Sequence, residues 1–350
     1  MTGVSHRVWR IVARWEAILV VLIIAAGVWS ATVSSFFLQR TNLLDLLTPY
    51  IFLGLLAFGL AFVVIAGEID ISVLSTMAVA AASFAQLWQH GVNVWLAALA
   101  ALVIGTCLGL VNGFLIGVLN LPSLAITLGT LAAYRGLAYL ILGGEAISGF
   151  PPRFTNIGGG YIRNELPVAL LVLAGFAVAL GILLHATRFG RYLYALGSNR
   201  EAARYSGIPV TRVRVTVFAL SGLMAGFAAI AYLGFYGSVQ ADAGSGSELI
   251  DVVTAVVLGG VDIFGGSGSM LGVLLALILV SELRNGMQLA NVSGATQDMV
   301  IGGLLIAAIL AGNALRAAQG GRLRLRRAGS RKEVTQKGQL DSPVQATIET

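Results

Sequence analysis

The sequence predicts an all-α integral membrane protein: about ten transmembrane helices and one short helix held outside the bilayer. Three observations carry this. First, 57% of the 350 residues are hydrophobic and 11% charged, where a soluble domain has about 45–50% and about 25%. The charges are too few to cover a water-facing surface, so lipid must take the excess apolar area. Second, the apolar residues fall into runs close to the ~20 residues that cross ~30 Å of hydrocarbon. Third, the 44 glycines suit lipid, where small residues let helix backbones approach closely.

The elements follow in order. The first run, near 17–37, comes after Arg7, Arg10 and Arg14. It is long enough to span, and no small-residue cleavage site precedes a polar start, so it reads as a retained helix and not a removed leader. Further spans are predicted near 43–66, 70–90, 94–119, 121–142, 166–186, 213–235, 248–263, 268–285 and 295–312, with 70–90 and 248–263 the weakest. The chain thus divides into a cytoplasmic N-terminus (1–16), a transmembrane domain (17–312) and a basic tail (313–350). Loop 143–165 holds Gly149, Pro151, Pro152, Gly158, Gly159 and Gly160 and reads as an irregular external loop. The tail loses hydrophobic periodicity and reads as disordered, its basic part a topology anchor or a contact for anionic lipid.

Basic residues set the orientation. Segment 187–214 carries Arg188, Arg191, Arg200, Arg204, Arg212 and Arg214, and the tail carries Arg316, Arg322, Arg324, Arg326, Arg327, Arg331 and Lys332. Positive charge collects on the cytoplasmic side. Ten spans put both termini and segment 187–214 on that side, so the count and the charge rule agree. The net charge of +6 is therefore a topology signal and does not point to nucleic acid. Cys107, inside an apolar run, is expected to be a small buried residue. One cysteine with His6, His90 and His185 makes no metal cluster, and no cofactor is expected.

One internal echo stands out. Val63-Val64-Ile65-Ala66-Gly67 leads to Ile69-Asp70-Ile71, and Val256-Val257-Leu258-Gly259-Gly260 leads to Val261-Asp262-Ile263. Transporters often contain repeats, but two short matches with a one-residue offset are as well explained by chance.

The longest polar interruption is 187–214. Leu193, Leu196, Ala203, Tyr205 and Ile208 place apolar contacts among its charges. Asn199 is suited to cap a helix beginning at Arg200, Gly207 to end it, and Pro209 to prevent its continuation. A two-turn amphipathic helix is predicted, either lying on headgroups or docking a cytoplasmic partner.

Glu201-Ala202-Ala203, three residues, then Gly207 resembles the EAA-x3-G pattern of membrane subunits of bacterial ABC importers. Ile65-Ala66-Gly67-Glu68-Ile69-Asp70-Ile71-Ser72-Val73, Thr127-Leu128-Gly129-Thr130 with Tyr134-Arg135-Gly136-Leu137-Ala138, and Val257-Leu258-Gly259-Gly260 with Gly265-Gly266-Ser267-Gly268 resemble the ribose-type monosaccharide branch, which is related to autoinducer-type sugar permeases. The stretches Val64 to Asp70 and His185 to Arg191 look most like rhamnose-type members. Glu68 departs from the branch, where many members carry a second glycine. The resemblance implies a permease, not an enzyme, in a bacterial plasma membrane. It implies a cytoplasmic ABC ATPase dimer, a second permease subunit and an external sugar-binding protein as partners. It also implies that Arg200, Glu201, Ala202, Ala203, Arg204, Tyr205, Gly207 and Ile208 form the coupling helix seated on the ATPase.

Other residues are candidates on physical grounds. Glu68 and Asp70, at a span end, are candidates for a gate or a helix cap. Arg135 lies inside the run 121–142, where an arginine costs at least ~2.5 kcal/mol unless paired or snorkelling. Asn112, Thr127, Thr130 and Ser221, with Ser123, offer the amide and hydroxyl groups a sugar path needs, although such groups also join helices. Gly259 to Gly268 lacks the Lys-Ser/Thr of a phosphate-binding loop. Two other readings stand against the permease: an ion-coupled secondary transporter acting without an ATPase, disfavoured because the acids fall at span ends, and a membrane scaffold without a path.

Overall fold

The computed structural model describes residues 3–163, 165–240, 242–244 and 246–312, with side chains from Trp15 onward. The predicted disordered tail and the side chains of Arg7, Arg10 and Arg14 lie outside the described residues. The chain falls into a unit of Met1–Leu305 and a second beginning at Ile306, whose described residues, 306–312, are helical.

The helices run in order α1 (Gly3–Val33), α2 (Arg40–Asp45), α3 (Ile51–Ile65), α4 (Val73–Gln89), α5 (Val94–Gly113), α6 (Ser123–Leu142), α7 (Pro152–Gly159), α8 (Val168–Ala186), α9 (Arg188–Ser198), α10 (Arg200–Tyr205), α11 (Val210–Tyr236), α12 (Glu248–Leu258) and α13 (Met270–Leu289). A last apolar helix, α14, covers Gly294–Gly312. Among the described residues, eight segments are long and apolar enough to cross a membrane. Together with α4 and α12 they account for all ten predicted runs. At 17 and 11 residues these two fall short of the ~20-residue span, and they coincide with the two weakest predictions.

Burial orders the bundle. α3 is apolar on every face and almost wholly buried, as a central helix must be. α4 packs beside the same core. α1, α6 and α8 turn apolar faces outward, with Leu140 82% exposed, which suits helices bordering lipid. Cys107 is exposed, contrary to expectation: it sits on the outward side of α5, and the buried side is taken by glycines. Gly105, Gly109, Gly113 and Gly117 recur every four residues, which aligns them on one helix face. A Cβ at Gly109 would stand 2.3 Å from the Phe218 carbonyl of α11, and one at Gly105 would stand 2.5 Å from that of Gly222. This contact fixes α11 against α5 by backbone approach.

Loop 143–165 is more regular than predicted. It contains α7, whose Phe154 is fully buried among Phe84, Phe150 and Trp95. Its glycines serve packing: a Cβ on Gly158 would strike the α11 backbone at Phe235 N, 2.4 Å away. Short β1 (Ile147–Ser148) pairs antiparallel with β4 (Ser238–Val239), and β2 (Tyr161–Ile162) with β3 (Leu166–Pro167).

The echo is structural. α3 and α12 end alike, each with glycine in the left-handed region, Gly67 at φ +76° and Gly260 at φ +82°. Gly67 N donates to Val64 O and Glu68 N to Val63 O; Gly260 N donates to Val257 O and Val261 N to Val256 O. These are matching Schellman caps. The two loops that follow, 66–72 and 259–269, meet at one end of the bundle, where Gly266 N donates to Ile65 O at 2.8 Å.

Candidate functional site

The end of the bundle that holds these loops also carries the arginine-rich segment. α9 leads to its C-terminal Gly197, which is wedged between the loops: a Cβ there would lie 1.9 Å from Ile65 O and 2.4 Å from Gly266 N. Tyr194 Oη donates to Gly268 O at 2.8 Å, and Trp15 Nε1 donates to Leu258 O at 2.8 Å. The chain then turns into α10. Asn199 Oδ1 accepts from Ala202 N at 2.9 Å, the expected N-cap. At the other end Gly207 adopts φ +78°, Gly207 N donates to Arg204 O and Ile208 N to Ala203 O. Ala203 is buried beneath the helix, whereas Tyr205 is 90% exposed, and Glu201, Arg204 and Arg200 also face outward.

Behind α10 lies a chain of polar contacts. Arg200 Nη2 donates to Asn120 Oδ1 at 2.6 Å, and Arg214 Nη1 donates to the same oxygen at 3.0 Å. Partial burial, then the Arg214 guanidinium, pull the Arg200 pKa below the ordinary arginine value. Arg214, 2% exposed, pairs with Glu68 through Nε to Oε1 at 2.5 Å. Two residues on, Asp70 is buried. Its Oδ1 accepts from Ser72 N at 2.9 Å and Ser72 Oγ at 2.6 Å, and its Oδ2 accepts from Ser221 Oγ at 3.1 Å. Asp70 therefore holds the turn into α4 while reaching α11. Asn112 Nδ2 donates to Ser72 Oγ at 2.9 Å, and Tyr134 Oη donates to Asn112 Oδ1 at 3.4 Å. Segment 66–72 is thus irregular backbone whose polar side chains Glu68, Asp70 and Ser72 are buried in protein.

The predicted path residues separate. Asn112 and Ser221 converge on Asp70 and Ser72. Thr127 is buried and binds the loop through Ile69 O at 3.3 Å, beside Ser123 Oγ, which accepts from Ile69 N at 3.1 Å. Thr130 is half-buried one turn further along α6, its hydroxyl 3.5 Å from Thr127 O. Arg135 lies on the exposed side of α6 and pairs with no carboxylate among the described residues.

Two features were missed. Glu68 has a partner 146 positions away, which local reading could not supply. The acids also do not all fall at span ends. Glu282 is buried within α13, with Oε2 unpartnered among the described residues. Near it Arg284 bridges Asp251 of α12 at 2.7 Å and Asp298 of α14 at 2.9 Å. The signal was present in a run of α13 holding a glutamate and an arginine two residues apart. Among the described residues no cluster suited to a metal ion occurs.

Residues 42–309 match the family model described as branched-chain amino acid transport system / permease component. The chain is 36% identical over 302 residues to the autoinducer 2 import system permease protein LsrD of Escherichia coli strain K12, covering 85% of this chain and 91% of that one. The same protein of Shigella flexneri is similar to the same degree, and that of Escherichia coli O157:H7 is 35% identical over the same length.

Proposed function

The chain belongs to the branched-chain amino acid transport system / permease component family, and from that premise we propose that it is the membrane-spanning sugar permease of a bacterial ABC importer, working in the plasma membrane with α10 and both termini on the cytoplasmic side. Its ATPase partner would hydrolyse the nucleotide, and an external binding protein would deliver the substrate. A second permease subunit would complete the path. The substrate class is a monosaccharide of rhamnose or ribose type, or a furanose-derived signal molecule; the relatives' import of autoinducer 2 favours the last.

The observation that carries this reading is α10. It is capped at both ends and exposed along one side, yet tied inward through Arg200. Its outward residues are Arg200, Glu201, Arg204 and Tyr205, a charged and aromatic face suited to contact with a protein partner. With Glu282 inside a span, acid placement no longer argues against an ion-coupled transporter, and the case rests on family and α10.

Uptake into proteoliposomes holding the permease, its ATPase and its binding protein should require ATP. Uptake driven by a proton gradient alone would overturn the reading. Glu201→Lys or Gly207→Pro should abolish co-purification of the ATPase while the permease still inserts.

A further inference from the structure

We propose that Asn120 and the buried Glu68–Arg214 pair are positioning residues that carry movement of α10 to the Asp70 cluster, an inference that rests on α10 being the ATPase-docking helix. Three separate pieces of chain meet at one side-chain oxygen. Asn120 Oδ1 takes a proton donor from Arg200 at the start of α10 and another from Arg214 in the first turns of α11. Asn120 itself belongs to the tight turn between α5 and α6, where it adopts φ +59° after a π-helical turn over Phe114–Val118. Asparagine is among the few non-glycine residues that accept that backbone. π-turns cluster at functional sites because they re-aim the residues that follow.

The charges explain why the link holds. Two guanidiniums on one neutral oxygen repel each other, and the carboxylate of Glu68 offsets that repulsion from the far side of Arg214. With Arg214 2% exposed, water and salt screen its pairing with Glu68 only weakly. Displacing Arg200 therefore changes the balance at Arg214, and Arg214 holds the loop that places Asp70. Beside the link a cleft of about 740 Å³, lined by Gly117, Asn120, Arg200, Arg204, Thr211 and Arg212, separates α10 from the ends of α5 and α11. Both ends of the Arg200 to Asn120 bond line that space. Ser72 and Ser221 then give Asp70 contacts with the start of α4 and with α11, and Asn112 of α5 joins them through the Ser72 hydroxyl.

The test uses the assembled complex in proteoliposomes and reads substrate imported per ATP hydrolysed, with ATPase co-purification measured in parallel. Asn120→Gly keeps the left-handed turn and removes the acceptor; Asn120→Asp keeps both turn and acceptor. Asn120→Gly should leave co-purification intact and lower import per ATP about fivefold or more, the lower end of coupling between distant sites. Asn120→Asp should retain coupling. Glu68→Gln, which keeps the shape of the side chain and removes the negative charge that offsets Arg214, should reproduce the loss, and this second variant decides the matter if Asn120→Gly fails to accumulate. Unchanged import per ATP in the variants that accumulate, or loss of co-purification in Asn120→Gly, would overturn the link. If the wild-type permease itself does not retain the ATPase, it is the docking reading that fails.

Discussion

The loops 66–72 and 259–269 begin with the same cap and are then built in opposite ways. After Gly67 the chain buries two carboxylates: Glu68 against Arg214, and Asp70 among Ser72 and Ser221. After Gly260 the acid arrives one residue earlier. Asp262 is only half-buried, and its carboxylate accepts from Phe264 N at 2.9 Å within its own turn. The second loop is held in addition by close backbone approach: a Cβ on Gly265 would lie 2.7 Å from Gly67 Cα, and one on Gly266 would lie 2.8 Å from Ser198 N. Asp70 faces the bundle core, whereas Asp262, one residue out of step, also bonds within its own turn. The first loop is wired by the Glu68–Arg214 pair; the second is seated on Gly67 and Ser198 by close approach.

The largest effect should come from breaking the charged side. Glu68→Ala leaves Arg214 buried and unpaired and should destabilise the protein by about 3–5 kcal/mol, whereas replacing both partners, as Glu68→Leu with Arg214→Met, should recover most of that. Thermal unfolding in detergent measures both, and equal losses would show the pair is not an isolated unit. Next is the seat. Gly197→Ala forces a methyl group against Ile65 O and should cost about 3 kcal/mol, toward the upper end of overpacking effects, read in the same assay. The smallest effect belongs to the core acid. Asp70→Ala strands Ser72 and Ser221 and should cost about 1–3 kcal/mol in the same assay. No loss would show that Asp70 does not hold the first loop.

Much of this was legible locally. The α10 caps at Asn199 and Gly207 depend on residues within one turn, and all ten apolar runs became helices. The echo was legible too, yet its meaning needed three dimensions, because matching caps appear only as hydrogen bonds. What could not be read was long-range. Nothing near Asn120 announces that two arginines, 80 and 94 positions on, will share its oxygen. Cys107 faced outward because the four-residue glycine repeat claimed the packed side of α5. Arg135 was the reverse case: its cost was evident from sequence, and the structure sets it on the exposed side of α6 with no ion pair among the described residues.

The central claim is that movement enters at α10 and reaches loop 66–72. Hydrogen exchange of the complex with and without a non-hydrolysable ATP analogue tests it directly. Backbone amides of 199–208 and 66–72 should change protection together, with the region around Phe154 unchanged. Change confined to 199–208, with loop 66–72 silent, would contradict the account.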